Sequence, residues 1–273
     1  MECRSSFSKE NGQGRTYARS HEQATLRHNN QRNHRRQIRM DAAGTAGALI
    51  SGNGDAMENT LYLIRHAPTR LNDPEHERSR GWGMFPPDPE RLKELVPQIA
   101  TTLEHESIHR LVASDLPRAA ITARELAKEM GVPHQVTRQL RTWNTGSMTG
   151  KSEKEVGPQK KKYIEHPDLK PPDGEPFERF ERRWGGALRQ FMKHNEANPE
   201  DQIALVIHGN MDMSAPAIVG GEKVTAGHYD KMRPPGSISV LRWSRHTEPH
   251  IEVVNEEMSS DDGSGDADIK DYR

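Results

Sequence analysis

The sequence predicts an α/β fold, a three-layer α/β/α sandwich around a mostly parallel sheet, with disordered tails at both ends. Three observations predict it. Two short runs, Leu61–Ile64 and Ile203–Ile207, are apolar at every position, as strands buried on both faces are. Both stop abruptly, at Arg65-His66 and at His208-Gly209. Between them apolar runs alternate with helical stripes, and strand, helix, strand, helix, strand at this spacing is the signature of parallel βαβ units.

Taken in order, Leu61-Tyr62-Leu63-Ile64 is the first strand, and Pro68 forbids its continuation. A loop runs through Asn72 to Arg80-Gly81-Trp82-Gly83. Pro86, Pro87 and Pro89 then set up a helix with Leu92, Leu95, Val96, Ile99 and Leu103 as its stripe, and Pro97 predicts a kink or break in it. Arg110–Ala113 is the second strand, ending in Ser114-Asp115. Pro117 opens a helix that runs to about Met130, where Gly131 stops it. Val132–Val136 is a short third strand, and Leu140–Lys151 a polar loop. Glu175–His194 is the clearest helix, with Phe177, Phe180, Trp184, Leu188 and Phe191 on one face as core residues. Lys160-Lys161-Lys162 reads as a solvated helix face. Ser237–Trp243 and Ile251–Val254 are two final strands at or near a sheet edge.

Hydrophobic residues make up only 32% of the 273, and the polar excess sits at the ends. Residues 1–40 carry nine Arg or Lys against three Glu, and residues 256–273 seven acidic against two basic side chains. The net charge of −1 therefore hides a basic extension over 1–56 and an acidic tail over 256–273, flanking one domain over 57–255. Met57 would be a natural start for that domain. The basic arm lacks the interleaved aromatics of a nucleic-acid groove, so no specific nucleic-acid partner is implied. Cys3 is the only cysteine, which excludes disulfides and thiolate chemistry within the domain. No apolar run approaches the roughly 20 residues that span a bilayer. The expected location is cytoplasmic; Arg35-Arg36 before the Ala/Gly-rich Ala42–Ile50 keeps twin-arginine export as the alternative.

The residues at the strand tips make a coherent chemistry. A neutral imidazole can attack phosphorus, and the resulting phosphohistidine can be discharged by water or an alcohol. Arg65 and Arg118 offer planar forks matched to phosphoryl oxygens. Asn72 and the loop around Thr69 add neutral donors, His208 adds another, and Gly209 would let the backbone approach the anion. Such a site needs no metal and no cofactor, because side chains supply the positive charge.

Arg65-His66-Ala67-Pro68-Thr69 with Asn72, Ser114-Asp115-Leu116-Pro117-Arg118-Ala119 with Thr122-Ala123, and His208-Gly209 together resemble the histidine phosphatase superfamily, in its phosphoglycerate mutase-like branch. The likeness covers residues 58–254. Arg80-Gly81-Trp82, Leu140-Arg141 with Gly146 and Gly150, and Asp173-Gly174-Glu175 look like the family's secondary landmarks. The resemblance implies a metal-independent phosphomonoester hydrolase with His66 as nucleophile and His208 beside it. It implies Arg65, Asn72, Arg118, His208 and Gly209 at the phosphate, with Thr69, Arg80 and Gly81 near the substrate. The partner would be a small phosphorylated substrate; the oligomeric state is open, a homodimer being one option.

This sequence departs from that pattern at one chemically important place. The branch usually carries a Glu two residues after the Leu of Leu140-Arg141, where it protonates the leaving oxygen; here that place holds Thr142. Glu175, Asp212 and Glu153 are the candidate replacements. The alternatives are a phosphoglycerate mutase-type phosphotransferase and a catalytically weak phospho-ligand-binding protein. Pocket walls are expected from Trp82–Phe85, Trp143–Met148 and Met211–Met213. His105-Glu106-Ser107-Ile108-His109 matches the zinc-protease string, but that motif requires a continuous helix, and the sequence turns strand-like at Arg110.

Overall fold

Alternation along β1 (Asn59–Arg65) sets the layers: Leu61 and Leu63 enter the core on one face of the sheet, Tyr62 and Ile64 the core on the other. The computed structural model describes residues 58–255 apart from Pro74, His76 and Arg245; the expected 1–56 extension and 256–273 tail lie outside the described residues. Six strands form one sheet in the order β3-β2-β4-β1-β5-β6. They are β1, β2 (Arg110–Ser114), β3 (His134–Thr137), β4 (Ile203–Ile207), β5 (Ile238–Trp243) and β6 (His250–Asn255). The first four neighbours run parallel and β5 and β6 antiparallel, so the sheet is mostly parallel.

On one face α1 (Pro89–Thr102) and α2 (Pro117–Met130) cover Tyr62, Ile64, Ala113 and Val206. On the other, α3 (Glu153–Glu165), α4 (Phe177–Ala197) and α5 (Gly209–Gly220) cover Leu61, Leu63, Leu205 and Ile207. A single turn, α6 (Ala226–Tyr229), follows. The helix starts follow the chemistry of the sequence. Asp88 caps α1 by accepting from Glu90 and Arg91 N–H, and Pro117 occupies the first turn of α2. Gly131 ends α2 in the left-handed conformation that favours glycine (φ 69°).

Several sequence expectations need correction. Pro97 does not break α1, which runs unbroken from residue 89 to 102. Lys160 is not solvated: it is 5% exposed and donates to both carboxylate oxygens of Glu153, at 2.9 and 2.7 Å. Helix α5 is absent from the sequence expectations. It is apolar nearly all round, so it shows no stripe. Trp143, Met148, Met211 and Met213, expected as pocket walls, belong to the core on the α4 side of the sheet. His105 and His109 lie between α1 and β2 rather than on a helix, so the zinc-protease geometry does not form.

Candidate active site

The site forms where β1 and β4 end side by side. Arg65 pairs with Ile207 in the parallel register, and His66 N–H donates to Ile207 O at 3.0 Å, so the following histidines meet. The rings of His66 and His208 have centroids 5.1 Å apart, inclined at 61°. Strand tips at the centre of a parallel sheet are where open α/β folds bind ligands.

His66 is 2% exposed. Its Nδ1 lies 2.7 Å from Ala67 O, and a carbonyl only accepts, so Nδ1 carries the proton and the neutral ring presents its lone pair on Nε2. Burial, then the Arg118 and Arg65 guanidiniums, hold its pKa well below the usual imidazole value. His208 is depressed likewise, by burial, Arg118 and His66, and both its ring nitrogens are buried without a hydrogen-bond partner.

Arg65 and Arg118 are the cations beside these rings. Burial and Arg80 lower Arg65 to about 10, with Asp212 and Glu77 opposing; burial, Arg80 and Arg65 lower Arg118 to about 9. Both stay charged at neutral pH. The Nε of each is buried and unpartnered. Arg118 is held by two loop carbonyls, Nη1 donating to Gly83 O at 3.0 Å and Nη2 to Gly81 O at 2.7 Å. That uses two of its five N–H groups and leaves three. Buried donors are almost always satisfied in folded chains, so the group formed by Arg65, Arg118 and His208 is shaped for an acceptor-rich, anionic ligand.

The supporting loops explain several sequence signals. Ala67 N–H donates to Thr122 Oγ1 (3.0 Å), whose hydroxyl donates to Arg118 O (2.7 Å), tying the His66 loop to the first turn of α2. Asn72 Oδ1 accepts from Thr69 N–H and Thr69 Oγ1, each at 3.0 Å, so its carbonyl end braces this loop and only Nδ2 could reach a phosphate. Arg80 donates to Leu71 O, Arg78 O and Glu77 Oε1. Its charge nonetheless lowers the pKa of both histidines and both arginines. Gly81 sits at φ 39°, and a Cβ there would lie 2.3 and 2.4 Å from the Thr145 and Thr149 hydroxyl oxygens. At Gly209 a Cβ would meet Met232 Sδ at 2.5 Å and Arg65 Cζ at 3.0 Å, so the room this glycine provides is filled by those side chains.

All three candidate acids are engaged. Glu175 Oε1 accepts from Asn144 N–H (3.0 Å) and Arg183 Nη2 (2.9 Å). The Asp212 carboxylate accepts from Arg233 Nε and Nη2, at 2.8 and 2.6 Å, and from the Ser239 hydroxyl at 2.8 Å. Glu153 accepts from Lys160 and Tyr229. Thr142 is 4% exposed; its Oγ1 accepts from Asn210 Nδ2 at 3.2 Å. Its carbonyl accepts from Trp82 Nε1 (2.7 Å) and Arg183 Nη2 (3.2 Å).

Sequence reasoning missed Asn210 and Arg183. Asn210 follows His208-Gly209 directly, which was a usable signal. Arg183 is one of several arginines on α4, and nothing local marks it. No three His, Cys, Asp or Glu side chains among the described residues group closely enough to hold a metal ion, and no described helix is long and apolar enough to cross a membrane.

A family model described as the histidine phosphatase superfamily, branch 1, matches residues 61–257. No curated protein sequence matches the chain. Among solved structures, a mycobacterial glucosyl-3-phosphoglycerate phosphatase is similar at 19% identity and a TM-score of 0.58, covering 72% of this chain and 98% of that one. The same phosphatase in complex with inorganic phosphate gives 18% and 0.57, with 71% and 95% covered. A phosphoglycerate mutase from Bacillus anthracis gives 18% and 0.56, with 75% and 96% covered. At such identities these likenesses show the fold.

Proposed function

The chain belongs to the histidine phosphatase superfamily, and from that premise we propose that it is a metal-independent phosphomonoester hydrolase acting through a phosphohistidine on His66. The observation that carries this reading is the His66 ring: Nδ1 is committed to Ala67 O, and the Nε2 lone pair is kept available by burial and two guanidiniums. Nε2 attacks phosphorus as the bond to the leaving oxygen breaks. The spare donors of Arg65 and Arg118, with His208, hold the phosphoryl oxygens and stabilise their charge in the transition state. Water then attacks phosphorus, returning His66 and inorganic phosphate. Asn72, Thr69, Arg80 and Gly81 support the phosphate loop, and Gly209 lets Arg65 lie against the start of α5.

Thr142 takes the place of the branch's proton donor, and Glu175, Asp212 and Glu153 are all committed to cations. The enzyme is therefore suited to small phosphorylated substrates whose leaving group departs without strong acid help. The test is rapid acid-free quenching with labelled p-nitrophenyl phosphate. It should trap an acid-labile, base-stable phosphoprotein in the natural chain and none in His66→Ala. Label that persists in His66→Ala refutes the assignment.

A further inference from the structure

One buried polar atom at the site has no use in phosphate binding. Among the described residues, the buried unpartnered side-chain atoms at the strand tips are Arg65 Nε, Arg118 Nε, both ring nitrogens of His208, Ser237 Oγ beside Arg65, and Asn210 Oδ1. The arginine atoms are donors, the Ser237 hydroxyl can donate, and His208 beside a bound dianion can take up a proton and donate from both nitrogens, which an amide carbonyl cannot do. A phosphoryl dianion offers only lone pairs, so it can satisfy the donors. It cannot satisfy an amide carbonyl. Asn210 Oδ1 is thus left over after the phosphate is bound.

The amide is not free to turn away. Asn210 Nδ2 donates to Thr142 Oγ1 at 3.2 Å, which directs Oδ1 away from Thr142. Asn210 lies in the first turn of α5, two residues after His208. Thr142 is anchored through its carbonyl to Trp82, between the two glycines that hold Arg118. The pair therefore stands on the His208 and Arg118 side of the site. An acceptor buried without a donor is costly, and a ligand hydrogen can relieve that cost.

We infer that Asn210 Oδ1 accepts a hydrogen bond from the leaving group, so the substrates are phosphomonoesters carrying a hydroxyl or amino donor close to the phosphoryl group. This rests on the phosphatase reading and adds the recognition of the leaving group to it. Thr142 is then a positioning residue, holding the amide that reads the leaving group in the place where the branch usually has its acid. Donor-lacking esters of the same size leave Oδ1 unmet and bind less well.

The test uses ligands that cannot turn over, so proton donation to the leaving group does not enter. Calorimetric titration of the full chain compares 2-hydroxyethylphosphonate with n-propylphosphonate, which differ by hydroxyl against methyl, and includes phosphonoacetate and inorganic phosphate. The hydroxyl ligand should bind about tenfold more tightly than the propyl one, the worth of one net hydrogen bond. That ratio should fall towards one in Asn210→Ala and persist in Asn210→Asp, which keeps an acceptor. Equal affinities in the natural chain overturn the inference without any variant. So does a ratio that survives in Asn210→Ala, or a preference for phosphonoacetate that Asn210→Ala removes, since Asn210 would then be acting as a donor. If inorganic phosphate itself does not bind, the phosphatase reading fails first; if it binds and the hydroxyl adds nothing, only this inference falls.

Discussion

Replacing Arg118 by lysine should cripple the enzyme while keeping its charge. The guanidinium bridges two carbonyls, Gly83 O at 3.0 Å and Gly81 O at 2.7 Å, and still presents three N–H groups. A lysine ammonium is a single point of charge, and it cannot span both carbonyls while also reaching a phosphoryl oxygen. One carbonyl left unmet in a buried setting costs about 1–3 kcal/mol, and a lost charge-assisted bond to the transferring phosphoryl about 1.5–3 kcal/mol. Part of the second loss is offset by the retained charge. The unmet carbonyl burdens free enzyme and transition state alike, so only the second loss enters kcat/KM: about 1.5–3 kcal/mol, roughly a 10–10²-fold fall. The unmet carbonyl alone should lower Tm by roughly 2–10 °C. Steady-state kinetics with p-nitrophenyl phosphate, competitive inhibition by inorganic phosphate, and a thermal melt measure the three effects. Arg118→Lys within about threefold of the natural kcat/KM, with unchanged phosphate inhibition, would mean that the bridge to the Gly81–Gly83 loop is irrelevant to the site.

Two further outcomes follow from the same geometry. Because the folded pKa of His66 and of His208 is depressed by burial and the neighbouring guanidiniums, the unfolded chain binds protons that the native chain refuses. Stability should therefore be full above the ordinary imidazole pKa and fall as pH drops below it, by up to about 1.4 kcal/mol per pH unit for each histidine. Denaturant midpoints between pH 7.5 and 5.5 measure this, and an equal slope in the His66→Gln/His208→Gln double variant would contradict it. If Thr142 stands in the donor's place, rates should depend steeply on leaving-group pKa, and Thr142→Glu should raise alkyl phosphate turnover by a factor within about 10²–10⁴, more than aryl turnover. A shallow dependence in the natural chain, with selective loss of alkyl turnover in the amide variant of Glu175, Asp212 or Glu153, would assign the proton to that carboxylate instead.

Much of this site was legible in the sequence because it is written locally. The strand runs before Arg65-His66 and His208 are apolar without interruption, which marks them as buried on both faces and their polar ends as strand tips. Pro117 and Gly131 bracket α2 by backbone chemistry alone, and α4 announces itself by its aromatic stripe. What only the tertiary structure decided depends on partners distant along the chain. The sheet order inserts β4 between β1 and β2, and no local pattern encodes which strand lies beside which. That insertion sets His208 against His66. The carbonyls that hold Arg118 lie 35 and 37 residues before it, and the Thr142 that pins Asn210 lies 68 residues away. Lys160 looked solvated because its neighbours Lys161 and Lys162 are charged, yet Glu153 and Tyr229 enclose it. Met211 and Met213 looked like pocket wall because they follow His208-Gly209, and α5 shows no stripe to orient it, since the buried Asp212 and Ser214 lie among its apolar residues. A sequence window carries backbone preference and burial pattern, whereas the pairing of one buried polar atom with another is settled only when the layers close and exclude water.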